Sequence, residues 1–367
     1  MARIWYSVLG DGMGHAIRSY SVIEKLKKEH DLIITAADKA YPFLKKIYGD
    51  KVIRIEGNAF IYKDNKAMIG TTIRVFLANF PYKSRENFNK ISKMLQESKP
   101  DLVISDFEPA AHYFSLLLKI PCISIDNVHT LSECKLRLPT NLKLKLPYVK
   151  SFIKFLHPKS DYYILPAFAN VKPKNSKKTK IVKPIIRDKI RKLTPSDKGF
   201  VLVYQTSPTN KKMLKALAKS NKNYKVYGMK KTKAAKNIKF KEFSEKKFLE
   251  DLKNCSYVII NGGFTVISEA LYLGKPILSI PVKDQFEQEF NAYSLRDKGY
   301  GDYTEELTPE FLKSFEEKLK FYRKNIKTLK QWTDEDLGKA LKQLIRECLK
   351  KKKPRYELLR IKRKKNA

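Results

Sequence analysis

Apolar positions along the chain alternate between two rhythms. Arg3 to Leu9 is a β-rich run closed by Gly10, and Ala16 to Lys28 then places Ile17, Tyr20, Ile23 and Leu26 at helical spacing. The same strand-turn-helix unit returns in the short runs Asp31 to Ala36, Lys51 to Ile55, Asp101 to Ser105 and Pro121 to Ile125, with helical segments such as Ser84 to Ser98 and Pro109 to Leu118 between them. Such alternation predicts a parallel sheet covered on both faces. A second series starts at Phe200 to Tyr204 and continues through Tyr224 to Gly228, Tyr257 to Ile260 and Pro276 to Ile280. Its helices are expected over Lys211 to Lys219, Glu245 to Asn254, Val266 to Leu273 and Gln285 to Asp297. Between the two series, Lys172 to Lys192 holds ten basic residues, one acid and two prolines, which reads as a linker. The expected fold is α/β, with two doubly wound Rossmann-like domains facing a cleft. The first spans 1–165, a basic linker 166–198, the second domain 199–335, and a helix with a basic tail 336–367.

Composition narrows the class. Hydrophobic residues make up 43% and charged residues 31% of 367, too apolar for a disordered chain and too charged for a multi-span membrane protein. Four cysteines without a C-x-x-C pair give neither a zinc site nor a disulfide framework, and indicate a reducing interior. Asp11 and a glycine cluster interrupt the apolar start, so it does not read as a signal peptide, and no stretch is long enough to span a bilayer. Lys and Arg number 76 against 38 Asp and Glu, a net charge of +38, which draws the protein toward an anionic partner.

In open parallel sheets ligands bind beyond the carboxyl ends of the strands, and the distinctive polar residues fall in such places. Gly10-Asp11-Gly12-Met13-Gly14-His15 leads from strand to helix without the spacing of a dinucleotide fingerprint, which disfavours a nicotinamide enzyme. His15 there either caps the helix or accepts a proton near neutral pH, with Asp106 as a partner that orients it. Asp126 and His129 follow another strand end. In the second series, Thr206 and Ser207 follow one strand end, and Asn261-Gly262-Gly263 opens a helix at Phe264 and Thr265 whose N–H groups suit a diphosphate. Glu269 is the lone acid of that apolar helix, either solvated or an acceptor for a ribose diol. Asp284 and Gln285 offer polyol contacts. Asp334-Glu335-Asp336 reads as a helix start rather than a metal site.

The stretch Asn261 to Gly301 resembles the donor-binding signature of GT-B-fold nucleotide-sugar glycosyltransferases. It has the glycine pair before a helix, Ser268-Glu269-Ala270, the Gly274-Lys275-Pro276 turn, Asp284-Gln285 and Asn291-Ala292. Among such enzymes it is similar to the N-acetylglucosaminyltransferase that completes lipid II and to the UDP-glucuronosyltransferases, and more narrowly to an archaeal-type branch. The resemblance implies a UDP-linked sugar donor, N-acetylglucosamine or a related hexose, as co-substrate, with no cofactor and no metal. It also implies an inverting transfer to a hydroxyl acceptor, and the basic stretch Lys135 to Lys159 would suit a lipid-linked one. Site by site, it assigns Gly262, Gly263, Phe264 and Thr265, with Thr206 and Ser207, to the diphosphate. Glu269 would take the ribose, Phe243 the base, and Asp284 with Gln285 the sugar. His15 would act as the base with Asp106, while Gly12, Gly14, Asp126 and His129 line the acceptor side. The pattern departs at Asn261, where a basic residue is usual, and after Gln205, where a glycine-rich loop is usual. A sugar-nucleotide 2-epimerase of the same fold and a nucleic-acid-binding protein are the alternatives, although no RNA- or DNA-binding motif is present. Basic residues from Lys135 to Lys159, interleaved with leucines, prolines and aromatics, suggest contact with an anionic membrane, with a solvated lysine-rich face as the alternative. The expected location is cytoplasmic, peripheral at the inner face of the membrane.

Overall fold

The computed structural model describes residues 1–57, 62–63, 65–207, 209–232, 235–329, 332–351 and 354–359. Seven apolar runs pair as one parallel sheet: β1 (Arg3–Val8), β2 (Asp31–Ala37), β3 (Val52–Ile55), β4 (Leu102–Asp106), β5 (Cys122–Ile125), β6 (Tyr162–Pro166) and β7 (Thr179–Val182). Their order is β7-β6-β5-β4-β1-β2-β3. A second parallel sheet comprises β8 (Phe200–Tyr204), β9 (Asn223–Tyr227), β10 (Ile238–Phe240), β11 (Val258–Ile260), β12 (Ile277–Ser279) and β13 (Gly301–Tyr303), in the order β10-β9-β8-β11-β12-β13. The order in which strands are added reverses once in each sheet, between β1 and β4 in the first and between β8 and β11 in the second. At such a reversal the following helices go to opposite faces and leave a crevice at the carboxyl edge.

The first sheet runs past the expected boundary. Tyr162–Pro166 and Thr179–Val182 are both strands, and the second of them lies inside the segment read as linker. Its lysines alternate with Thr179, Ile181 and Val182, so an edge strand solvates the charges on one side and buries the rest. The helix expected over Ser84 to Ser98 is α2 (Ile69–Ser98), which begins earlier. Gly70, the β-branched residues at 71–73 and 75, and Pro81 conceal its first half, because each lowers helix propensity.

At the carboxyl end, the helix Glu335–Leu349 returns to the first sheet rather than capping the second. Leu337, Leu341, Leu344 and Ile345 join one core with Ile104, Ile164 and Val182. Asp334 precedes this helix and pairs with Arg191 and Lys25, so it serves as an anchor across the two halves. Most of the expected basic tail, Lys352, Lys353 and 360–367, lies outside the described residues. Among the described residues no helix is long and apolar enough to cross a membrane.

Removing the side chain of the fully buried Leu344 should leave a cavity in the first core and cost about 2–5 kcal/mol, read by urea unfolding of Leu344→Ala. An unchanged midpoint would contradict the packing of this helix on the first sheet.

Candidate functional site

At the crevice of the first sheet, β1 ends in Gly10 and the chain enters α1 (Met13–Leu26). A Cβ on Gly10 would meet the Ala37 carbonyl oxygen at 2.0 Å, so only glycine lets the turn pass β2 this closely. Gly12 is the extended residue before the helix and has open space at its Cβ position. His15 lies one turn in, beside Asp106 at the end of β4, with His15 Nδ1 2.8 Å from Asp106 Oδ1.

Asp106 is fully buried and accepts from Arg18 Nε (3.0 Å), Arg18 Nη2 and Ser19 Oγ (2.8 Å). Burial works against its charge, but Arg18 and then His15 outweigh burial and hold the carboxyl below its ordinary range. An ionised Asp106 fixes the tautomer of the neutral ring. A bare Nδ1 would set lone pair against lone pair, so Nδ1 carries the proton and donates it to Asp106. Nε2 then keeps its lone pair, with no partner among the described residues. Arg18 Nη2, which donates to Asp106 Oδ1, also lies 3.1 Å from Nδ1.

The second crevice faces this one. The helix α5 (Phe264–Tyr272) starts after Gly263, and no side chain caps it, so its first N–H groups are open to an anion. Thr265 Oγ1 approaches the Gly14 carbonyl at 3.4 Å, and a Cβ on Gly14 would come within 2.9 Å of that hydroxyl. The two helix starts therefore meet across the cleft, with His15 one residue from the contact.

Several expected donor residues are engaged differently. Gly262 gives its N–H to Gln288 Oε1, and a Cβ there would meet the Gln288 backbone at 2.3 Å, which leaves Gly263, Phe264 and Thr265 as the anion-facing positions. Thr206 donates both its N–H and its hydroxyl to Asn261 Oδ1. Ser207 Oγ accepts from Asn65 N–H (2.9 Å) and donates to the Thr209 carbonyl. Glu269 is 2% exposed, and both its oxygens accept from Arg187, at 2.6 and 2.9 Å. Burial pushes the Glu269 carboxyl up and Arg187 pulls it partway back. Phe243 is 58% exposed near Tyr204 and Phe248, open to a flat ring. Asp284 adopts φ +64° and faces Lys66 (3.6 Å) and Lys145 (3.9 Å), while Gln285 caps the next helix, α6 (Phe286–Asp297), by accepting from Gln288 N–H.

Asp126 and His129 are corrections to the expected acceptor side. Both are buried and bind each other, with His129 Nδ1 2.8 Å from Asp126 Oδ2, beneath Phe107, His112 and His157. Phe107, at φ +51° just beyond the neighbouring strand β4, stacks on His157 at 3.7 Å and covers the cluster.

Arg187 and Asn65 are site residues that sequence reading passed over, and Asn127 lies in the strand-end segment Asp126 to His129 without a role of its own assigned from sequence. Arg187 lies in the basic segment, where one arginine among ten basic residues carries no distinguishing signal. Asn65 stands at the tip of the hairpin pairing Tyr62–Lys63 with Lys66–Ala67, and reaches across the cleft to Ser207, Pro281 and Asn261. Asn127 accepts from Arg18 Nη1 (2.9 Å) and donates to Glu287 Oε1 (2.7 Å), which links the Asp106 cluster to α6. Depressions of about 460 and 480 Å³ are lined by Arg3, Asp31 and Met94, and by Lys135, Phe290 and Tyr293; neither includes His15 or Phe264. Among the described residues no group of His, Cys, Asp and Glu side chains is arranged to hold a metal ion.

Two parallel α/β sheets facing a cleft, with the His15–Asp106 pair on one side and an uncapped helix start on the other, form a GT-B architecture. The family model described as glycosyl transferase family 1 matches residues 2–320, and the chain belongs to that family. It is 27% identical over 292 residues to an uncharacterised glycosyltransferase of Methanosarcina acetivorans, covering 72% of this chain and 77% of that one. It is 24% identical to another from Methanosarcina mazei, covering 95% and 99%. Among solved structures it is similar to Phytolacca americana UGT2 complexed with UDP-2-fluoro-glucose and pterostilbene, with a TM-score of 0.63 at 13% identity, covering 95% of this chain and 100% of that one.

The histidine cluster makes a stability prediction. Burial, then His129, pushes His112 down to about 3, and burial with His112 and His129 holds His157 well below the ordinary value. An unfolded histidine titrates near about 6.5, so below that pH the unfolded chain binds more protons than the folded one at both positions. Stability should therefore fall as pH drops, by about 1.4 kcal/mol per pH unit for each histidine. Urea midpoints from about pH 7.5 to 5 read this slope, which should flatten in His157→Phe. A flat wild-type profile would contradict a neutral, buried pair.

Proposed function

We propose that this glycosyltransferase moves a hexose, N-acetylglucosamine or a close relative, from a UDP-sugar to a hydroxyl acceptor, by one displacement that inverts the anomeric carbon. The observation that carries the reading is the His15–Asp106 pair, held one residue from the place where Gly14 meets the open start of α5. His15 Nε2 takes the acceptor's proton as the oxygen attacks. Asp106 stabilises the imidazolium that forms, and general-base assistance of this kind contributes about 10²–10⁴-fold. The departing diphosphate gathers negative charge at Gly263, Phe264 and Thr265, where the helix dipole and free N–H groups compensate it without a metal, worth about 1–2 kcal/mol for the dipole alone.

The remaining donor contacts follow from position. Phe243, exposed beyond β10, offers its face to the base. Glu269 takes the ribose hydroxyls after its contact with Arg187 loosens, and Arg187 then has donors to spare for the phosphates. Asp284 and the free amide nitrogen of Gln285 hold the sugar. The acceptor enters past Gly12, where there is open space. UDP-2-fluoro-glucose in the plant enzyme supports a uridine donor, and the Methanosarcina relatives support an archaeal lineage. A lipid-linked acceptor, met by a cytoplasmic protein at the inner membrane face, fits the basic Lys135–Lys159 stretch.

His15→Ala should lower the transfer rate by about 10²–10⁴-fold while UDP affinity stays within about twofold, measured by product formation and calorimetry. An unchanged rate would remove His15 as the base, and loss of activity in chelator would remove the metal-free step. A nucleotide sugar altered without any acceptor would make the protein an epimerase instead.

A further inference from the structure

The helix α4 (Thr140–Leu156) divides its surface in two. Leu142, Leu146, Val149 and Ile153 face inward, in one cluster with Phe107, Phe286 and Phe290. Leu144, Tyr148 and Phe155 recur along the opposite side at helical spacing and stand in solvent. The neighbouring helix α3 (Pro109–Leu118) adds Tyr113, Leu116 and Leu117. The Tyr113 hydroxyl donates to the Phe155 carbonyl, so the two apolar stripes form one continuous surface. Exposure runs from 47% at Tyr113 to 77% at Leu144. Single exposed apolar residues are ordinary, whereas six on two adjoining helices mark a face that meets something.

The charge carried on these two helices is of one sign. Lys119, Lys143 and Lys154 border the face, and no acid occurs from Pro109 to Lys119 or between Glu133 and Asp161. The carboxyl end leads to the same place. Arg355 N–H donates to the Leu118 carbonyl at 2.7 Å, and Leu359 packs in one cluster with Phe114 and Leu118. The sequence beyond, outside the described residues, brings Arg360, Lys362, Arg363, Lys364 and Lys365. Thus the described chain ends packed against α3, with five basic residues still to come.

We propose that this face docks on an anionic phospholipid surface, its leucines and aromatics entering the headgroup boundary and its lysines meeting the phosphates. The chemistry selects this occupant. Leucines contribute nothing to phosphate or base recognition, which disfavours nucleic acid, and a second copy would bring another lysine-rimmed face against the first. An anionic bilayer accepts both features together: apolar side chains gain from leaving water, and each basic residue near the surface adds about 1 kcal/mol. Geometry joins the face to the cleft. On the flank of α4 toward the second domain, Lys145 reaches Glu289 (3.1 Å) and Asp284 (3.9 Å), so docking places the lipid plane beside the loop proposed to hold the donor sugar. This deepens the lipid-linked acceptor reading, yet it rests on residues separate from the donor and base sites.

The test is co-sedimentation of the full chain with phosphatidylcholine vesicles containing about one-third phosphatidylglycerol. Pure phosphatidylcholine vesicles and an RNA homopolymer serve as comparisons. Wild-type protein should be retained on the anionic vesicles at low salt, about tenfold or more better than on neutral ones. The variant Leu116→Ser/Leu117→Ser/Leu144→Ser/Phe155→Ser should bind them at least about tenfold more weakly, with an unchanged melting temperature and unchanged UDP affinity. Equal retention of variant and wild type, or no retention of wild type, would overturn the proposal. A dimer in sedimentation velocity that the variant dissolves, or RNA retention that the variant loses, would overturn it in favour of those partners. Vesicle binding that persists while UDP fails to bind would leave the docking face standing and remove the donor reading alone.

Discussion

The buried pairing of Asp106 with Arg18 is the contact on which the rest of the site depends. Asp106 ends β4 at the reversal of the first sheet, where the crevice must open, and it has no exposure to water. Its charge survives there because Arg18 meets both oxygens and Ser19 adds a third donor. Breaking such a pair from one side typically costs about 3–5 kcal/mol, so the start of α1 is held to the end of β4. His15 inherits its place from that hold: three residues before Arg18, it lies on the same face of the helix. Its tautomer follows from the carboxylate it touches.

The same cluster reaches into the second domain. Arg18 continues to Asn127 and Asn127 to Glu287 on α6, the helix that follows the Asp284–Gln285 loop. Asn65 bridges the cleft at another point, and Gly14 meets Thr265 at a third. The helix Glu335–Leu349 closes the arrangement by carrying the end of the chain back to the first core. With so many contacts between the sheets, a change in their separation would be felt at His15 through Arg18. The two sides of the cleft are built differently: one sheet holds the His15–Asp106 pair, and the other presents an uncapped helix start.

Sequence legibility followed buried periodicity. Strands such as Arg3–Val8 and Phe200–Tyr204 are apolar on both faces and stood out, and the glycines at both crevices marked where strand passes to helix. Edge elements were hidden: Thr179–Val182 is half lysine-flanked, and its basic setting resembles a linker. Residue types at the site were readable, while their partners were not, because pairing across domains has no local signal. Glu269 looked like a lone acid on an apolar helix, and Arg187, 82 residues earlier, was needed to explain it. Likewise Asp126 and His129 follow a strand end as ligand-binding residues do, yet both are buried against each other and the rings around them. The net charge of +38 had no place in a cleft reading; the lysine-bordered apolar face of α3 and α4 gives part of it a location.

The central claim is that Asp106 fixes the protonation pattern of His15 before any substrate arrives. Nitrogen-detected NMR of histidine-labelled protein near pH 8, with His15 assigned by comparison with His15→Ala, reads that pattern directly. The account predicts a neutral ring protonated at Nδ1 with a bare Nε2. A ring protonated at Nε2 and bare at Nδ1 would contradict it, since the nitrogen left to face the substrate could not then accept a proton.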